Sequence, residues 1–170
     1  MESIIGSLES WEEFPAPGRK AFQTMREVPG AGESMIFEKN FFVEKLLLGE
    51  SWSAGLGEQG VAPYKERFNS MGNRLPTLAW PRQIPIMNTN SPQEVVDTAG
   101  EWNGFLKDST FPKLFIPASP GFFTPWILEK VKGWNNHHVG QTVKGLHFIQ
   151  EDSGAAIGQQ LLQFVQSLSK

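Results

Sequence analysis

Only two segments of this 170-residue chain read as buried strands, and both lie in its last third. Lys113-Leu-Phe-Ile-Pro117 is a short apolar run that ends at a proline, and Gly140 to Lys144, β-rich from Gln141 onward, is the second. Each is followed by a helical stretch. Thr124-Pro125 caps one that runs to Lys132, and Ser153 to Ser167 forms another behind the acidic residues Glu151 and Asp152. The order strand, helix, strand, helix predicts a parallel pair joined by a right-handed crossover. Two parallel strands leave ladder groups unpaired and apolar faces uncovered, so the pattern predicts the trailing part of a larger α/β sheet.

The residues ahead of this region carry helical spacing broken by Pro and Gly. Trp11 to Met25 and Ser34 to Leu48 read as helices, followed by a Gly-rich passage from Gly49 to Ala62. In the second helix Met35, Ile36, Phe42, Val43, Leu46 and Leu47 make a wide apolar face interrupted by Lys39. Prolines 76, 81 and 85 predict an extended connector from Leu75 to Pro85, pinned against a pocket or core. Ser91-Pro92-Gln93-Glu94 has the form of a helix start, with Ser91 as cap and Pro92 in the first turn. Val95, Val96, Ala99, Trp102, Phe105 and Leu106 give the helix over 92–107 its apolar stripe.

Six Trp and thirteen Phe are enough aromatic bulk for a core. A net charge of -3 with singly scattered Lys and Arg gives no basic face, which argues against a nucleic-acid partner. Zero cysteines excludes disulfides, thiol nucleophiles and thiolate metal sites. The N-terminus, Met1-Glu-Ser-Ile-Ile-Gly6, carries no basic region, and no apolar run approaches a membrane span. The expectation is a cytoplasmic chain without a membrane partner.

His147 is the residue with most chemical interest. It sits between the second strand and the acidic start of the last helix, at the carboxyl end of a parallel strand, where open α/β sheets build their sites and where an imidazole can take a proton from water. The plain alternative is a loop histidine satisfied by backbone groups. A metal site built from His137, His138, His147 and Glu151 is disfavoured, because adjacent side chains on an extended run face opposite ways and the spacing matches no zinc pattern.

Several longer motifs carry a resemblance. Met1-Glu-Ser-Ile-Ile5, Glu9 to Phe14, Asn40-Phe-Phe-Val-Glu44, Pro76 to Pro85, Pro112 to Ile116, Pro120-Gly-Phe-Phe123, Val143 to Phe148 and Gln150-Glu-Asp152 lie in order along the chain. Together they are similar to the Renilla-type luciferases and haloalkane dehalogenases of the α/β-hydrolase superfamily. The resemblance implies an eight-stranded α/β-hydrolase with a helical cap after strand 6, of which this chain is the C-terminal portion. Residues 1–6 would end strand 6 and carry the acid, 7–107 would form the cap, and 108–170 would supply the last two parallel strands and the closing helices.

By the same resemblance His147 is the catalytic base and Glu2 the carboxylate that orients it. The turn Ala118-Ser119-Pro120-Gly121, where many hydrolases place that acid instead, has no carboxylate. Phe41, Phe42, Trp80, Pro81, Phe122, Phe123 and Phe148 would line the cavity between cap and sheet. The family's Asp nucleophile with its following Trp, and the Asn that helps hold the departing halide, have no counterpart in these 170 residues. No cofactor is implied. The implied partners are a small apolar or aromatic substrate and the missing N-terminal half of the core. The Gly-rich passage from Gly49 to Gly60 departs from the family's regular cap helix.

Two activities follow from the resemblance, hydrolysis of a carbon–halogen bond through an Asp ester or oxygen-dependent light emission from coelenterazine. A third reading is a catalytically inactive truncated or split-protein half. In every case the 170-residue chain by itself is expected to lack turnover and to fold marginally.

Overall fold

The computed structural model describes residues 2–47 and 56–169. Much of the Gly-rich passage therefore lies outside the described residues. In chain order the elements are α1 (Ala16–Glu27), α2 (Ala31–Glu33), two wide π-helical stretches (Ser34–Glu38 and Phe42–Leu47), α3 (Gly57–Arg67), a 3₁₀ turn (Gly72–Arg74), α4 (Leu75–Arg82) and α5 (Gln93–Asp108). Then come β1 (Lys113–Phe115), β2 (Ala118–Pro120), α6 (Thr124–Val131), β3 (His137–Val139), β4 (Val143–Gly145) and α7 (Ile149–Leu168).

The strand–helix–strand–helix order holds, and the pairing is parallel: β1 on β3 and β2 on β4. Each expected strand is two pieces. Lys113 pairs with His137 but Ala118 with Val143, so the second strand carries one extra residue between the pieces. The ladder continues across this bulge, because Gly140 donates to Phe115 and Val143 to Pro117. The expected first strand stopped at Pro117 and so missed β2, and the expected second strand began at Gly140 and so missed the His137–Val139 piece.

Other expectations are corrected as well. Leu75–Arg82 is a helix despite its prolines. Pro76 occupies the first turn, where an absent N–H costs nothing, and Pro81 falls in the last turn, where one lost bond is tolerated. The expected helix from Ser34 to Leu48 breaks at Asn40, which takes the left-handed conformation that asparagine tolerates (φ 47°). The Gly-rich passage is helical from Gly57 onward. Neither expected cap is made: Ser91 bonds Ile84 and Arg26 rather than the start of α5, and Thr124 bonds Glu2. Helix α1 begins after Pro15 rather than at Trp11, and α7 begins at Ile149, with a non-helical kink at Ser153.

The main core gathers Leu8, Trp11, Phe14, Phe22, Leu46, Leu47, Ile86, Phe123, Ile127, Val131 and Phe148, so helices of the first half pack directly on α6 and the loop after β4. Phe14, 1% exposed, is its centre, with ring contacts to Trp11, Phe22, Phe122 and Phe123. Phe14→Ala is expected to lower stability by about 3–5 kcal/mol in urea unfolding. Arg26, itself buried, lies over the Trp11 ring and reaches the Ile84 carbonyl, Asn90 and Ser91, which ties α1 to the segment after α4. Among the described residues no helix is long and apolar enough to cross a membrane.

The opposite surface is uncovered. On α5 only Val96 is buried, while Trp102 and Phe105 stack on each other in solvent. Leu161, Leu162, Val165 and Leu168 of α7 are at least half exposed. A second cavity, about 540 Å³, opens beside β1 against Ile5, Leu114, Ile116, Trp134 and Ile157.

Candidate active site

Glu2 stands at the meeting point of three segments. Its backbone N–H donates to the His147 carbonyl, and residue 8 of the same strand-like stretch pairs with the segment after α4 through bonds to Pro85 and Met87. Its carboxylate lies at the N-terminus of α6, accepting from the backbone N–H groups of Phe122, Phe123 and Thr124 at 2.8–3.0 Å and from the Thr124 hydroxyl at 2.7 Å. The positive end of the helix and three converging N–H groups make this an anion cradle, with a side chain from a distant segment as its anion. Gly121 makes the approach possible. Its φ is +64°, and a Cβ there would meet Thr124 Oγ1 at 2.7 Å.

The same carboxylate faces His147, with Nδ1 3.3 Å from Glu2 Oε2. Since a carboxylate can only accept, Nδ1 carries a proton and donates it to Glu2. The side chains are 13% and 3% exposed, so the pair is shielded from bulk water. Phe122, Phe123 and Phe148 surround the imidazole with ring centroids 5.0–5.9 Å away.

Burial alone pushes the Glu2 carboxyl up, but the hydrogen bonds from His147, Phe123, Thr124 and Phe122 outweigh it, and the net shift is downward. A carboxyl with a lower pKa folded than unfolded stabilises the fold at neutral pH. That contribution is lost as pH falls from the unfolded value, about 4.3, through the folded one. The stability gap between the chain and its Glu2→Gln variant is therefore expected to shrink between pH 7 and pH 3 in urea unfolding. A constant gap would contradict this.

A cavity of about 420 Å³ opens over the pair, with Glu2 and His147 in its wall. Of the expected lining residues, Phe42, Trp80, Pro81, Phe122, Phe123 and Phe148 are there. Phe41 is outside the lining and packs among the core residues instead. The sequence reading missed Phe14, Phe22, Tyr64, Phe68, Thr77 and Ile84, which also face it. Thr77 and Ile84 were hidden by reading α4 as a connector. Thr124 was visible next to Pro125, but its partner, Glu2, is 122 residues away. Among the described residues no group of three or more His, Cys, Asp or Glu could hold a metal ion; His137 binds the Trp134 carbonyl and His138 lies against Phe164.

The crystal structure of haloalkane dehalogenase DbeA from Bradyrhizobium elkani superposes with a TM-score of 0.88 at 32% identity, covering 97% of this chain and 57% of that one. A haloalkane dehalogenase of Sphingobium indicum strain B90A is 43% identical over 170 residues, which is 99% of this chain and 55% of the relative. The coelenterazine h 2-monooxygenase of Renilla reniformis is 37% identical over 171 residues, 99% and 53% respectively. This chain belongs to the haloalkane dehalogenase and Renilla luciferase family of α/β-hydrolases, as its C-terminal half. It spans just over half the length of the curated relatives it matches. No protein-family model matches it. Within that fold β1 with β2, and β3 with β4, are the last two parallel strands, and the hydrolase half leaves its sheet edge and the outer faces of α5 and α7 open.

Proposed function

We propose that this chain supplies the base, the orienting acid and the substrate cavity of a haloalkane-dehalogenase-like hydrolase. One observation carries the reading: a buried carboxylate held by four donors at a helix start accepts from Nδ1 of a histidine that stands in the wall of an apolar cavity. In the reaction an Asp of the other half displaces halide and forms an alkyl ester. His147 takes a proton from water as the oxygen attacks the ester carbonyl, giving alcohol and free Asp, and Glu2 stabilises the imidazolium. Residues 7–107 act as the cap, and the cavity size suits one small apolar molecule.

The test is a chimera joining this chain to the N-terminal half of the Sphingobium indicum relative. Bromide release from a bromoalkane is expected from the chimera, and none from the 170-residue chain alone, which lacks a nucleophile and halide cradle. Release by the purified chain, or by neither protein when the chimera is folded, would refute the proposal.

The second reading is a coelenterazine luciferase, favoured by the aromatic wall of Phe14, Phe22, Phe42, Phe68, Phe122, Phe123 and Phe148, which suits a planar heteroaromatic ligand. Light from coelenterazine without bromide release would establish it over the first.

A further inference from the structure

Helix α3 borders the active-site cavity with little to hold it there. None of its described side chains is buried, and Pro63 near its middle removes a backbone hydrogen bond one residue before Tyr64. Among the described residues its side chains reach other segments through an exposed ion pair from Lys65 to Glu44 at 3.6 Å and a hydrogen bond from the Tyr64 hydroxyl to Glu151 at 2.7 Å, while Asn73 donates to the Arg67 carbonyl at its C-terminal end and the Tyr64 ring packs at the edge of the main core. The ion pair is the weaker restraint, because both partners are solvated.

The hydrogen bond joins two segments that both contribute to the cavity wall. Tyr64 and Phe68 line it from α3, whereas His147, Phe148 and Gln150 line it from the loop that carries the base. Glu151 is the next residue after Gln150, in the first turn of α7. Tyr64 is half-buried and Glu151 exposed, so the bond sits at the rim, where the cavity meets solvent.

We propose that Tyr64 and Glu151 form a latch that holds α3 against the base loop and closes this side of the cavity rim. Tyr64 is then a positioning residue whose ring faces the cavity while its hydroxyl sets where the helix rests. The hydroxyl has a ready alternative partner in water, so breaking the bond leaves no polar group unsatisfied. The proposal takes only the location of the cavity from the proposed function, and its test needs no substrate and no turnover. Failure of one is therefore distinguishable from failure of the other.

Amide hydrogen exchange of the intact chain, read over 57–67, tests it. Tyr64→Phe and Glu151→Ala are each expected to speed exchange of α3 about fivefold, the loss of one net hydrogen bond. The double variant is expected to exceed neither. Glu151→Gln, whose amide oxygen still accepts, is expected to restore most of the protection. Exchange in α1 and α5 stays unchanged. The chain's single tyrosine gives an independent signature. A hydrogen bond to Glu151, burial and the Glu151 charge all raise the Tyr64 phenol above its ordinary value. Its absorbance titration midpoint is expected to fall in Glu151→Ala. Additive effects, faster exchange everywhere, α3 amides as unprotected in the intact chain as in a free peptide, or an unmoved phenol midpoint would each overturn the latch.

Discussion

Glu2→Ala is expected to destabilise the chain by roughly 3–5 kcal/mol at pH 7, read as the urea midpoint. The substitution strips the acceptor from the N–H groups of Phe122, Phe123 and Thr124, the Thr124 hydroxyl and His147 Nδ1 together. Glu2 is 7% exposed, so water does not replace the carboxylate without opening the turn that Gly121 forms. Glu2→Gln is expected to cost less, because its amide oxygen still accepts, although its NH₂ group must face one of the donors. Glu129→Gln is the control: its ion pair with Lys132 is solvated, and the change is expected to stay within about 0.5 kcal/mol. Equal effects from Glu2→Ala and Glu129→Gln would mean that the cradle does not anchor the fold.

The second large effect is catalytic. His147→Ala in the chimera is expected to reduce steady-state bromide release at least about 10³-fold, since base and nucleophile act as one unit. His147 is one of five donors to the Glu2 carboxylate and the other four stay in place, so the thermal midpoint of this variant is expected to move far less than that of Glu2→Ala. A variant that loses activity and fold together would show a structural role for His147 rather than a chemical one. Glu2→Gln in the same chimera is expected to reduce release less than His147→Ala, because the base remains but its tautomer is no longer fixed.

The parallel strand order was legible because β-rich runs and proline-started helices are local signals, and Thr124-Pro125 marks α6 without reference to anything distant. The family motifs also named His147 and Glu2, which no periodicity could have joined across 145 positions. What misled were residues with two local meanings. Prolines 76 and 81 read as helix breakers, yet Pro76 occupies the first turn, where a missing N–H costs nothing, and Pro81 forfeits one bond in the last turn of a short helix. Ser91 and Thr124 read as caps because their type and position were right, but tertiary partners with more to offer, Arg26 and Glu2, took their hydroxyls. The one-residue bulge between the strand pieces leaves no composition signal beyond Gly140. The stripe of α5 was real as a pattern, but Trp102 and Phe105 stack on each other and on Phe111 and stay more than half exposed in this half of the fold.

In the proposed reaction His147, held by Glu2, activates the water that cleaves a covalent alkyl ester. The most direct measurement is the intact mass of the His147→Ala chimera after exposure to a bromoalkane. A stable increase equal to one alkyl group is expected, with a single equivalent of bromide released and no further turnover. Continued bromide release with no mass increase would contradict it, because the ester would then be hydrolysed without the histidine or never form.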